Sequence, residues 1–261
     1  MPGHKDWLVI EVPPITALPR PVFLTSQSIP ARHRFPLHNH VWDQLTYATE
    51  GLLQITVEEA WSVVTPQQAI WIPAGMRHTT GGLSDARYNS VYIAAGMASQ
   101  MPQRCACLTV SPLLRALILE LEAISDHKES EEYVERIDKL VVDQLHRLDK
   151  EDFCLPWPKS AMLRTISEVL YEAPDDARGL DYWAAELGVS PRTLTRRFEK
   201  EVGLSLRAWR HRLRLFRALE WLGSGRNVTG IALDLGYAST SAFSYMFRKE
   251  MGCSPTDWLK R

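Results

Sequence analysis

His38 and His40 stand two residues apart in Pro36-Leu37-His38-Asn39-His40-Val41-Trp42-Asp43-Gln44. On a β-strand that spacing projects both imidazoles from one face, and Gln44 shares their parity. A third imidazole follows a tight-turn sequence in Pro73-Ala74-Gly75-Met76-Arg77-His78. Three imidazoles with one more donor suit a divalent transition metal (nickel, zinc, cobalt, copper or iron), since neutral nitrogen donors favour these ions over magnesium or calcium. The same groups could instead hydrogen-bond an organic ligand. The expected site is therefore His38, His40, Gln44 and His78, either as metal ligands or as the polar wall of an effector pocket. His4 and His33 lack a comparable partner pattern and read as surface residues. Trp42, Trp61, Trp71, Tyr47 and Tyr92 are aromatic candidates for lining that cavity or filling the core.

The elements that must position these groups are short strands. From Val22 to Ile93, apolar or alternating stretches (Gln44–Tyr47, Leu53–Val57, Ala69–Ile72, Ser90–Ile93) are separated by turn signals at Gly51, Pro66, Pro73-Ala74-Gly75 and Gly81-Gly82. This pattern predicts an antiparallel β-barrel or sandwich over residues 1–110. The period then becomes helical. Leu113, Leu114, Leu117 and Leu121, then Val134, Ile137, Val141, Leu145 and Leu148, flank the polar stretch SDHKESEE. Residues 111–155 therefore read as an αα-hairpin, packed on its own barrel or used for homodimerisation. Pro156 and Pro158 mark a second boundary, and residues 156–261 look all-helical.

The last segment repeats itself. Ala184, Leu187 and Gly188 recur 48 residues later as Ala232, Leu235 and Gly236. Ser190, Phe198, Lys200, Glu201, Gly203 and Ser205 recur at an offset of 49 as Ser239, Phe247, Lys249, Glu250, Gly252 and Ser254. A slip of one residue confined to the turn is what a duplicated helix-turn-helix tolerates. In the first copy Ser190 is placed to cap the second helix and Pro191 to open it. Leu194 and Phe198, four apart, face inward and leave Arg192, Thr195 and Arg196 on the opposite stripe, where arginine suits bidentate contact with guanine in a major groove. Between the copies, Arg207, Arg210, Arg214 and Arg217 share one stripe of a linking helix. That stripe is a solvated face, a set of phosphate contacts or a partner for the acidic body.

The stretch Ile231-Ala232-Leu233-Asp234-Leu235-Gly236-Tyr237 through Phe247-Arg248-Lys249-Glu250-Met251-Gly252-Cys253-Ser254-Pro255 closely resembles the AraC/XylS-type transcription regulators. The resemblance covers about residues 158–261. It implies a seven-helix domain whose two recognition helices enter successive major grooves of double-stranded promoter DNA, with RNA polymerase as a further partner. By position, its base-facing places fall on Arg192, Thr195 and Arg196, and on Thr240, Ser241, Ser244 and Tyr245. Tyr245 stands where some members carry Arg, which shifts sequence reading toward the first unit. The histidine stretches resemble the two cupin motifs, with Gln44 where that family often has Glu, so less negative charge is available to hold a cation. The expected fold class is thus α+β with two domains: a cupin-like barrel plus helical hairpin, then an all-α double helix-turn-helix domain.

Composition agrees with two domains of opposite character. The 261 residues carry a formal net charge of −1, yet residues 1–179 hold 16 Lys and Arg against 23 Asp and Glu while residues 180–261 hold 14 against 8. A basic module follows an acidic body, which argues against a coat over nucleic acid or membrane along the whole surface. No apolar run nears the ~18–20 residues of a membrane span and the N-terminus lacks a signal-peptide core, so a cytoplasmic protein without membrane partners is expected. Cys105, Cys107, Cys154 and Cys253 read as thiols, and Cys105-Ala106-Cys107 lacks the second pair that would make a metal clip. The leading function is a one-component transcription regulator whose barrel senses a small molecule or metal. A metal-responsive repressor of an efflux gene is one form of it, and activation and repression both stay open. The alternative is a metal-dependent cupin oxygenase or isomerase with a helical accessory domain, although no general base stands near the His-x-His.

Overall fold

The structure, a computed structural model, describes residues 6–12, 14–57, 60–66, 68–126, 129–148, 150–151 and 155–259. His4 and Cys154 lie outside the described residues. The chain divides into two compact units between Cys154 and Leu155.

The first unit opens with strands β1 (Leu8–Val9), β2 (Val22–Ile29), β3 (His33–Arg34), β4 (Asp43–Glu50), β5 (Leu53–Val57) and β6 (Ala60–Val64). It continues with β7 (Gln68–Ile72), β8 (His78–Gly82), β9 (Ala86–Ile93) and β10 (Ala106–Thr109), then helices α1 (Pro112–Asp126) and α2 (Glu131–Arg147), and a short β11 (Lys150–Glu151). One sheet runs β1-β3-β8-β5-β6 and the other β11-β10-β7-β4-β9-β2. Pairing is antiparallel except between β1 and β3.

Strand parity separates two cores. Leu53, Ile55, Val57 and Val64 of the first sheet meet Ala48, Ile70, Ile72 and Tyr88 of the second. The opposite face of the second sheet, with Val22, Leu24, Leu45, Tyr47, Trp71 and Val91, packs against Leu114, Leu117, Ile118 and Leu121 of α1 and Ile137, Val141 and Leu145 of α2. At roughly 1.5–3 kcal/mol for each large apolar side chain buried, this packing accounts for the amphipathic stripes of the hairpin without a partner chain. Leu113 departs from the expected stripe and is 51% exposed.

Gly81 and Gly82, read from sequence as a turn, lie at the end of β8. Their requirement is close approach: a Cβ on Gly81 would come within 2.4 Å of the Trp7 ring, and one on Gly82 within 2.5 Å of the Pro30 carbonyl.

Seven helices among the described residues build the second unit: α3 (Ala161–Glu172), α4 (Leu180–Glu186), α5 (Pro191–Val202), α6 (Leu206–Gly223), α7 (Val228–Asp234), α8 (Thr240–Met251) and α9 (Pro255–Trp258). The duplication extends to the caps. Ser190 and Ser239 accept from the backbone N–H groups of Thr193 and Ala242, and Ser205 and Ser254 accept from those of Ala208 and Asp257. Gly188 and Gly236 turn each motif at φ +64° and +75°. Leu194, Phe198, Trp209, Phe216, Phe243 and Phe247 are buried at the centre.

Candidate functional site

The three histidines meet at one end of the first unit, by a route other than the expected strand. Residues 39–42 are irregular, and His38 forms an isolated antiparallel bridge with His78. The His38 N–H donates to the His78 carbonyl at 3.0 Å and the His78 N–H to the His38 carbonyl at 2.8 Å, which sets the two rings side by side with centroids 4.3 Å apart. The His40 ring lies 5.1 Å from that of His78 and 6.3 Å from that of His38. Each Nδ1 rests on a main-chain carbonyl two residues away: Pro36 for His38, Trp42 for His40 and Met76 for His78. At His38 and His78, Nδ1 donation of this kind fixes the tautomer and leaves Nε2 as the lone pair, whereas the His40 ring lies between two acceptors, the Trp42 carbonyl at Nδ1 and Gln44 Oε1 at Nε2.

The three Nε2 atoms then differ. That of His40 is 2.7 Å from Gln44 Oε1, so the bend at Val41 and Trp42 still delivers Gln44 to the cluster. Gln44 is held from behind, its Nε2 donating to Thr46 Oγ1 at 2.9 Å and Ser90 Oγ at 3.0 Å. His78 is fully buried and its Nε2 has no hydrogen-bond partner among the described residues. Burial, reinforced by the neighbouring imidazoles, lowers the His78 pKa to about 3, and burial likewise lowers that of His38. Both rings are therefore held neutral. As they stand, no three His, Cys, Asp or Glu side chains among the described residues form a group that could hold a metal ion, the Cys105-Ala106-Cys107 stretch included. Cys105, Cys107 and Cys253 form no disulfide among the described residues.

The aromatic candidates sort by parity. Trp42 stacks on His40 at 5.3 Å with an interplanar angle of 8°, and Tyr92 meets both rings edge-on. The Trp42 indole N–H is buried without a partner among the described residues. Tyr47 and Trp71 instead face α1 and α2, with Tyr47 donating to the Pro66 carbonyl and Trp71 to that of Pro102. They line no part of the histidine cluster. Thr46 and Ser90 were missed in the sequence, although each shares strand parity with Gln44 or Tyr92 and that alternation was available.

In the second unit Arg192 and Arg196 are exposed on α5 opposite the buried Leu194 and Phe198, with Thr195 half-buried between them. Neither arginine has a hydrogen bond or ion pair among the described residues. On α8, Ser241 and Tyr245 are exposed and Thr240 and Ser244 half-buried, again opposite Phe243 and Phe247. The arginine stripe of α6 divides. Arg210 donates to the carbonyls of Arg178 (2.6 Å) and Asp176, and Arg214 to that of Pro174 (2.9 Å). Arg217 pairs with Glu220 and lies over the rings of Tyr171 and Trp221. Only Arg207 of the four is exposed.

Residues 183–261 match the helix-turn-helix domain family, and residues 21–139 match the AraC-like ligand binding domain. The HTH-type transcriptional regulator NimR of Escherichia coli is 36% identical over 226 residues, covering 87% of this chain and 82% of that protein. The chain belongs to the AraC family of transcription regulators. The HTH-type transcriptional activator RhaR of Mannheimia succiniciproducens is 22% identical across 99% of this chain and 96% of its own length. A solved structure of ToxT from Vibrio cholerae superposes over 92% of this chain and 97% of that one with 13% identity and a TM-score of 0.38.

This AraC-family protein is thus a DNA-binding transcription regulator with an N-terminal ligand-binding domain, and not an enzyme. No helix among the described residues is long and apolar enough to cross a membrane.

Proposed function

We propose that the protein reads promoter DNA through α5 and α8 in successive major grooves, and that its cupin-like N-terminal unit senses a divalent transition metal at His38, His40 and His78. The observation that carries the sensing half is the buried, unpartnered Nε2 of His78. Leaving such an acceptor unsatisfied costs about 1–3 kcal/mol, which an incoming electrophile relieves. Three Nδ1–carbonyl contacts, the arrangement that orients metal-binding imidazoles, and the neutral state of His78 and His38 support the same reading.

The residues fit once the ring spacings and the Gln44 contact adjust. Around a tetrahedral ion with ~2.0–2.1 Å metal–nitrogen bonds, ring centres fall about 5 Å apart. The His38–His40 pair, now at 6.3 Å, must approach, and the His38–His78 pair, now at 4.3 Å, must part. Gln44 must also release His40 Nε2, and its Oε1 or a water then completes the shell. The ion would supply a charge that draws these side chains together. The expected result is that calorimetric titration with nickel, zinc or copper gives one site, weakened at least tenfold by His38→Ala. Absence of transition-metal binding below about 100 micromolar would overturn it.

A second reading is favoured by the orphaned Trp42 N–H beside His40: a small organic effector accepting from the indole and donating to His78 Nε2. Binding of such a molecule by protein stripped with chelator distinguishes the two.

We further propose a cytoplasmic homodimer acting with RNA polymerase, as repressor or activator. Since the hairpin stripes are buried on their own sheet, the dimer contact falls to the exposed Leu113 and Leu119 of α1 and Leu140 of α2. Sedimentation of the full chain at tens of micromolar tests it, and a monomer would remove it.

A further inference from the structure

A cleft of about 540 Å³ lies between the two helix-turn-helix motifs, walled by Thr195 of α5 and Met246 of α8 and floored by Arg207, Arg210, His211 and Arg214 of α6. No carboxylate lines it. Three features give it a definite chemistry. Arg210 and Arg214 are immobilised, but by neutral carbonyl oxygens, so both charges remain uncompensated by their partners. Desolvation and the neighbouring Arg214 guanidinium press the Arg210 pKa downward, and the Asp176 carboxylate, outside the lining, opposes them in part. Arg207, by contrast, is exposed, with no hydrogen bond or ion pair among the described residues. His211 lies 3.1 Å from Glu250 Oε1 and is the one basic lining group within ion-pair distance of a carboxylate among the described residues.

The occupant is indicated by the walls. Thr195 belongs to the outward stripe of α5 with Arg192 and Arg196, so whatever enters the cleft lies beside the DNA that this stripe contacts. Between two successive major grooves a duplex presents its sugar-phosphate backbone, a line of single negative charges. We propose that the cleft seats a backbone phosphodiester, with Arg207 as the side chain that closes on it and Arg210 and Arg214 as fixed charge behind. Arg217, paired with Glu220 outside the cleft, takes no part.

The inference rests on DNA binding by this unit, and the test separates the two. The full-length protein is titrated, over a series of salt concentrations, against a random-sequence duplex of about three helical turns and against one enriched from a random pool by repeated binding. Arg207→Ala is expected to weaken both several-fold and to reduce the slope of log affinity against log salt by about 1. Arg207→Lys should restore most of that slope, and Arg217→Lys should leave it unchanged. An unaltered slope for Arg207→Ala, or a loss confined to the enriched duplex, overturns the phosphate seat while leaving DNA binding intact. Wild-type protein that binds neither duplex overturns both. Arg207 is exposed and outside the core, so the variant folds or fails visibly by circular dichroism, and Arg207→Gln serves as the replacement.

Discussion

Gly236, in the turn of the second helix-turn-helix, lies against the backbone of Asp175: a Cβ added there would come within 3.0 Å of the Asp175 Cα and 3.3 Å of its carbonyl oxygen. Its repeat partner Gly188 has the same left-handed backbone but nothing within 4 Å. Both substitutions to Ala incur the cost of positive φ, on the order of 1–2 kcal/mol. Gly236→Ala adds overpacking of roughly 1–3 kcal/mol. The urea midpoint should therefore fall further for Gly236→Ala than for Gly188→Ala, and equal midpoints would show that the Asp175 loop yields freely.

Arg192→Ala and Arg196→Ala should each weaken binding to an enriched duplex by ~1–3 kcal/mol, with a smaller loss on random sequence. Titration of each variant against both duplexes checks it. Equal losses would make these arginines phosphate contacts.

Hydrogen bonds from Arg178 hold the Asp176 carboxyl below its ordinary value of 3.8, against a smaller opposing effect of burial. A lowered carboxylate pKa contributes stability above the unfolded value and loses it as pH falls through the folded one. Asp176→Asn should thus be less stable than wild type at neutral pH, with the gap closing below about pH 3.8. Thermal melts across an acid series measure it, and a gap constant with pH would assign the loss to packing.

Gln44→Glu places a carboxylate 2.7 Å from His40 Nε2 in the position of Gln44 Oε1. Thr46 and Ser90 hydroxyls can turn to donate where they now accept. Transition-metal affinity should rise at least tenfold, about 1.4 kcal/mol. Calorimetry with zinc or nickel reads it, and an unchanged affinity would leave Gln44 outside the shell.

The second unit was legible in the sequence because its information is local. Ser190, Gly203 and their repeats, together with Pro191, act within one turn of the helix they begin or end, so caps, turns and outward stripes follow from spacing alone. The histidine cluster was legible only as a set. Its residues were identified, but the backbone bridge joining His38 to His78 pairs positions 40 residues apart, and no periodicity reports such a pairing. The carbonyl contacts of Arg210 and Arg214 were not legible for a related reason: their acceptors belong to a loop 32 to 40 residues away in the chain. Which aromatic candidates fill the core, as Tyr47 and Trp71 do, was not legible because aromatic type says nothing of which side of a sheet faces the helices.

The loop 174–178 is gripped twice, by Arg210 and Arg214 from α6 and by the Gly236 turn from the second motif. With α5 and α8 fixed to one frame, the distance and azimuth between them become a property of the protein that DNA must match. One base pair inserted between the two half-sites would turn the far one by ~34° and carry it ~3.4 Å along the axis. A hinged pair of readers could follow that displacement, whereas this unit should reject it, so the operator is constrained in length as strictly as in sequence.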